Sequence, residues 1–113
     1  QSSKEFQIMD FDYKDGVPAI KEPLMKLAAF RIAAIYAIYG LRLTITSTTD
    51  GKHMEGSLHY CGLAIDIRTR NIPKEQFPPL FQDVLNALKQ CSDCFQVIKK
   101  ETHIHIEFDR RKT

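Results

Sequence analysis

Two short stretches of this chain alternate in a way that admits one kind of surface. Over Gly62 to Thr69, Leu63, Ile65 and Ile67 alternate with Ala64, Asp66 and Arg68. Over Thr102 to Phe108, Thr102, Ile104 and Ile106 alternate with His103, His105 and Glu107, and Glu101 continues the second set. Strand side chains point to opposite faces with a period of two. Each stretch is therefore expected as a strand with aliphatic groups toward a core and ionisable groups on the other face. If the two strands lie side by side, Asp66 and His105 share that other face.

The remaining segments supply the cover. Pro23 to Tyr39 reads as a helix, because proline in the first turn forfeits no hydrogen bond and Gly40 is a natural stop. Leu, Met and Ala dominate its middle. Polar residues are few beyond Lys26 and Arg31, so burial on most sides is expected. Lys74 to Gln90 reads as a second helix, with Leu80, Val84, Leu85 and Leu88 as its apolar stripe and Ser92-Asp93 as its end. Leu41 to Ser47 alternates as a half-buried strand, with Leu41, Leu43 and Ile45 on one side. A short strand is allowed around Phe6 to Met9, in a polar lead-in. Phe95 to Lys100 is strand-like and joins Thr102 to Phe108 either as one bent strand or as a tight pair. The expected class is α+β: a small antiparallel sheet with helices packed on one face and the ionisable groups on the other. At 113 residues, a single domain over 1–113 and a monomer are expected.

Several functions are excluded or disfavoured. The net charge of +2 gives no reason to expect a nucleic-acid or membrane-surface partner. Arg110-Arg111-Lys112 is the one dense basic run and reads as a solvated tail. The longest apolar run, Ile32 to Tyr39, is far short of the ~18 residues of a transmembrane helix. Three cysteines, Cys61, Cys91 and Cys94, do not make a closed disulfide framework, and reduced thiols are the simplest reading.

All four histidines, His53, His59, His103 and His105, fall in two stretches, Asp50 to Asp66 and Glu101 to His105. The first begins within a long segment without periodicity, Thr48 to Cys61, and loops of that length in a small domain are usually functional. Imidazole nitrogen and carboxylate oxygen are ligands that zinc prefers, and a catalytic zinc keeps three protein ligands and one open position. A strand carrying His103 and His105, a carboxylate at Asp66 on a neighbouring strand, and His59 from the loop can supply such a set.

The order Ser57-Leu-His-Tyr-Cys-Gly-Leu-Ala-Ile-Asp66 resembles the Ser-x-His-x-x-Gly-x-Ala-x-Asp motif of the zinc D-Ala-D-Ala peptidases. The wider run Asp50 to Asp66 also resembles the zinc-site segment of hedgehog signalling domains, which share that fold, and His103-Ile-His105 matches both groups. The resemblance implies a hedgehog/peptidase-like fold and one Zn2+ per chain on His59, Asp66 and His105. It implies His53 and His103 as groups facing the reacting centre, and Ser57 as a holder of the substrate's terminal carboxylate. Gly62 and Ala64 are read as positions of close backbone approach. Glu101 is the expected general base, with Glu107 or a histidine as the fallback; Glu107 otherwise reads as a solvated carboxylate. The substrate implied is a peptidoglycan stem peptide, cut as a carboxypeptidase or an endopeptidase. The arginine that many members carry after the preceding strand is missing from Thr46-Ser-Thr-Thr-Asp50, where Arg42, Arg68 or Arg70 can substitute. The alternative implied by the hedgehog branch is a zinc-bound interaction module without turnover. No secretory signal opens the sequence, which begins with Gln1, and the location is left open between the cytoplasm and action at the cell wall.

Overall fold

The computed structural model describes residues 10–50 and 56–112. The strand expected near Phe6 and the position of His53 lie outside these residues. Among the described residues five strands form one sheet: β1 (Asp12–Tyr13), β2 (Thr44–Ser47), β3 (Ala64–Arg68), β4 (Phe95–Lys99) and β5 (His103–Phe108). Their order in the sheet is β1-β2-β3-β5-β4. Two α-helices, α1 (Pro23–Ile38) and α2 (Phe77–Cys91), complete an α+β architecture, with short 3-10 turns at Leu58–Cys61, Lys74–Gln76 and Arg110–Lys112.

The sheet is mixed rather than wholly antiparallel, because β1 pairs with β2 in parallel. The connection between them explains this. Parallel neighbours need a crossover, usually helical, and α1 lies between β1 and β2 in the chain. The β2–β3, β3–β5 and β4–β5 pairs are antiparallel. β4 and β5 are a tight pair closed over residues 100–102, with the Lys100 N–H donating to the His103 carbonyl at 2.8 Å.

The core lies on one face of this sheet. Ile45, Ile65, Ile67, Ile104 and Ile106 are fully buried against Met25, Ala29, Ile32 and Tyr36 of α1 and Leu80, Val84 and Leu88 of α2. The small Ala28, Ala29 and Ala33 let α1 pack closely, and burying each large aliphatic side chain is worth about 1.5–3 kcal/mol. Tyr36 carries its hydroxyl into this core and donates to the Arg68 carbonyl at 3.0 Å, which satisfies both groups. α1 is less enclosed than its composition predicts. Leu27 and Ile38 are 64% and 82% exposed, and the Phe30 ring is covered only in part, by an edge-on contact with Phe11. The sheet and the second helix enclose one side of α1, and among the described residues no third layer covers the other.

Candidate metal centre

The open face of the sheet carries the ionisable side chains. The β3–β5 register pairs Asp66 with His105 and Arg68 with His103. Alternation then puts all four on the face away from Ile65, Ile67, Ile104 and Ile106. On the far side of β3, the β2 register shifts between Ile45 and Ser47. This irregularity keeps Ile45 in the core beside Ile67 while bringing Ser47 opposite Asp66, the kind of re-aiming a bulge achieves.

His59 reaches the same place from the 3-10 turn Leu58–Cys61. Ser57 caps that turn, its Oγ accepting from the His59 N–H at 3.2 Å. Gly62 ends it with φ +80, a conformation that side chains rarely adopt, and a Cβ there would stand 3.2 Å from Cγ of Glu22. The turn is tied back to β3 by the Leu63 N–H donating to the Leu58 carbonyl, and β5 is stitched to it through Phe108 N–H and the Leu63 carbonyl. Tight geometry on both sides of His59 leaves it 2% exposed and aimed at the open face.

Three donor atoms converge there. His59 Nε2 stands 3.3 Å from His105 Nδ1 and 3.3 Å from Asp66 Oδ1, and the His105 Nδ1 to Asp66 Oδ1 distance is 2.9 Å. The outer nitrogens of both rings are already engaged. His59 Nδ1 lies 2.6 Å from the Thr48 carbonyl, which can only accept, so this nitrogen carries the proton. His105 Nε2 donates to Glu107 Oε1 at 2.8 Å. A proton held on each outer nitrogen leaves the inner one able to turn a lone pair to a metal, as the outer contacts of metal-binding histidines do, or to share a further proton with Asp66. Two inward lone pairs and a carboxylate in a largely buried site repel unless a cation or shared protons lie between them.

The triangle has the dimensions a metal needs. Ligands about 2.05 Å from a tetrahedral zinc stand roughly 3.3 Å from one another, and three protein ligands leave one position open. His59, Asp66 and His105 form the group that can hold a metal ion among the described residues. The electrostatics agree with a site built for positive charge. Burial pushes the Asp66 carboxyl up, but hydrogen bonds from His105 and His59, with the charges of His59 and His103, outweigh it and hold it well below the usual carboxylate range. The Asp66 carboxylate raises the His105 pKa against the opposing effect of burial, and Glu107 adds to the rise.

The other expected site residues fall around this centre. His103 is half-buried, its Nε2 3.7 Å from Asp66 Oδ1 and its Nδ1 3.1 Å from Thr102 Oγ1. Ser57, His103 and Glu107 line the same cleft of about 480 Å³ as the triad. Glu101 is exposed in the β4–β5 turn and lines a second cleft of about 630 Å³, which also includes Asp66 and His103. Glu107 is bonded to His105 and largely covered, so it is not the solvated carboxylate expected of it; its signal was its place two residues after His105 on one strand. Asp50 accepts from the Thr48 N–H at 2.7 Å and from Ser47 Oγ, and so shapes the turn whose carbonyl fixes His59. Thr48 itself is anchored through its hydroxyl to the Pro18 carbonyl. No pattern in the sequence singles out Asp50 or Thr48, because their effect passes through a backbone carbonyl.

No protein-family profile matches this chain, and no curated protein matches it. Among the described residues no helix is long and apolar enough to cross a membrane.

Proposed function

We propose that this chain is a zinc-dependent peptidase of the D-Ala-D-Ala peptidase type, with peptidoglycan stem peptides as substrate. The observation that carries the proposal is the His59–Asp66–His105 triangle, with both histidines held from outside and a cleft in front. The motif order Ser57 to Asp66 followed by His103-Ile-His105 supports the same reading, including a hedgehog-like fold. Zinc bound there supplies Lewis acidity, which activates water near neutral pH and polarises the scissile carbonyl.

The chain's own residues handle protons and position. Thr48 and Glu107 orient His59 and His105, so the triad needs no reorganisation during the reaction. Glu101, from the cleft it shares with Asp66 and His103, accepts the proton of the attacking water and passes it to the leaving amine. His103 Nε2–H faces the developing oxyanion, a donation worth roughly 3–4 kcal/mol when well placed. His53 is assigned the same task by its position in the motif. Ser57 lines the cleft and is a further polar contact for bound peptide.

The exposed setting of Glu101 favours one competing reading, a zinc-binding interaction module without turnover. Peptide release from purified sacculi by zinc-loaded protein, with Glu101→Ala beside it, separates the two. Release by the wild type and its loss in the variant is the expected result. Release by both rejects Glu101 as base, and release by neither, from folded protein holding one zinc, overturns the peptidase reading.

A further inference from the structure

We infer that the substrate is an extended chain laid across the whole sheet, continuing on both sides of the metal centre, so that the bond cut is internal. The inference rests on the peptidase reading above. The clefts on the open face form a row. The first includes Ile98 and Lys100, at β4 and just beyond it, with His105 and Glu107 of β5. It shares Asp66 and His103 with the second, which passes over Ser47 of β2 to Lys14. The second shares Lys14 and Arg68 with a third, of about 410 Å³, lined by Asp12, Tyr13 and Thr44 of β1 and β2.

Read by strand, the row follows the order of the sheet from β4 to β1. It therefore crosses the strands rather than running along them. Five strands about 4.8 Å apart span roughly 19 Å, which an extended peptide covers with about six residues at roughly 3.3 Å each. The triad stands on β5 and β3 and on the turn above them, within the row and not at its end. A site that removes a terminal residue needs a wall immediately beyond the reacting bond; among the described residues the groove goes on in both directions.

Both limbs carry cations, Lys100 and an Asp109-paired Arg111 in the first, and the second carries more of them. The second cleft gathers Lys14, Arg68 and Arg70 against the carboxylate of Glu101, while Asp66 is already engaged by the histidines. Among the described residues none of these three cations has an ion-pair partner, and Lys14 and Arg70 are exposed. This limb fits a chain that carries carboxylates on that side of the cut.

The test compares a cross-linked stem-peptide dimer with the single stem peptide, using zinc-loaded protein and mass analysis of the products. Cleavage of the dimer at an internal bond is expected to exceed terminal-residue release from the single peptide by at least about tenfold in kcat/KM. The double variant Lys14→Ala/Arg70→Ala is expected to raise KM for the dimer about tenfold, with zinc stoichiometry still one per chain. Equilibrium binding of the dimer to metal-free protein is expected to weaken by about the same factor in that variant, since lost charge-assisted contacts act on binding itself. Terminal release that equals or exceeds internal cleavage overturns the inference and leaves the peptidase reading standing. Unchanged KM and binding in the double variant overturn the cationic limb. Failure to cut either substrate, by protein holding one zinc, overturns the reading and the inference together.

Discussion

Glu107→Gln isolates the part of the metal centre that lies behind a ligand. The substitution keeps size and an acceptor oxygen, but removes the charge that holds the His105 ring. In the structure this is a 2.8 Å charge-assisted bond between side chains 15% and 19% exposed. Hydrogen bonds to charged groups contribute about 1.5–3 kcal/mol against about 0.5–1.5 for neutral ones, so the substitution removes on the order of 1–2 kcal/mol. Partners behind metal-bound histidines are worth about 10–100-fold in affinity, and a loss of 1–2 kcal/mol falls at the lower end of that range, at roughly 5–30-fold. The assay is a chelator-competition titration of zinc at fixed pH, with stoichiometry checked by elemental analysis. The expected result is one zinc per chain in both proteins and a 5–30-fold weaker Kd, at about the strength these terms allow. A Kd within twofold of wild type would refute the argument, because His105 could then be no ligand held in one tautomer by Glu107.

Two other outcomes follow from the same geometry. In metal-free protein the depressed Asp66 contributes stability that is present above its ordinary pKa and lost as pH falls through its folded value. The raised His105 contributes stability that is full below its ordinary pKa, about 6.5, and lost as pH rises through its folded value. The Asp66–His105 contribution is thus greatest between about pH 4 and 6.5. Zinc competes with the His105 proton, so the rise in Tm on adding zinc is expected to grow from pH 5.5 to pH 8, read by thermal melts with and without chelator; a zinc effect that shrinks with rising pH would sink this account. Gly62→Ala places a Cβ at φ +80 and against Glu22, and is expected to cost about 1–3 kcal/mol by urea denaturation, whereas a change under 0.3 kcal/mol would contradict the need for glycine there.

Much of this protein is determined locally. The helix from Pro23 stops one residue before the expected Tyr39, with Gly40 at φ +73 beyond it. Leu80, Val84 and Leu88 turn inward as their spacing requires. Alternation along β3 and β5 separates the isoleucines from Asp66 and the histidines, because period two is a property of the strand backbone and needs no knowledge of neighbours. The three metal-binding candidates were legible too, since their residue types and order carry the chemistry. What the chain could not declare is pairing. The parallel β1, the shifted register that brings Ser47 beside Asp66, and the Thr48 carbonyl behind His59 all join residues distant in sequence through backbone groups that every residue possesses. Glu101 and Glu107 show the same limit: both share a parity with His105, yet the β4–β5 turn begins before His103, leaving Glu101 on the turn and Glu107 against the ring. A side chain's face follows from its parity, but its partner follows only from where the strands come to lie.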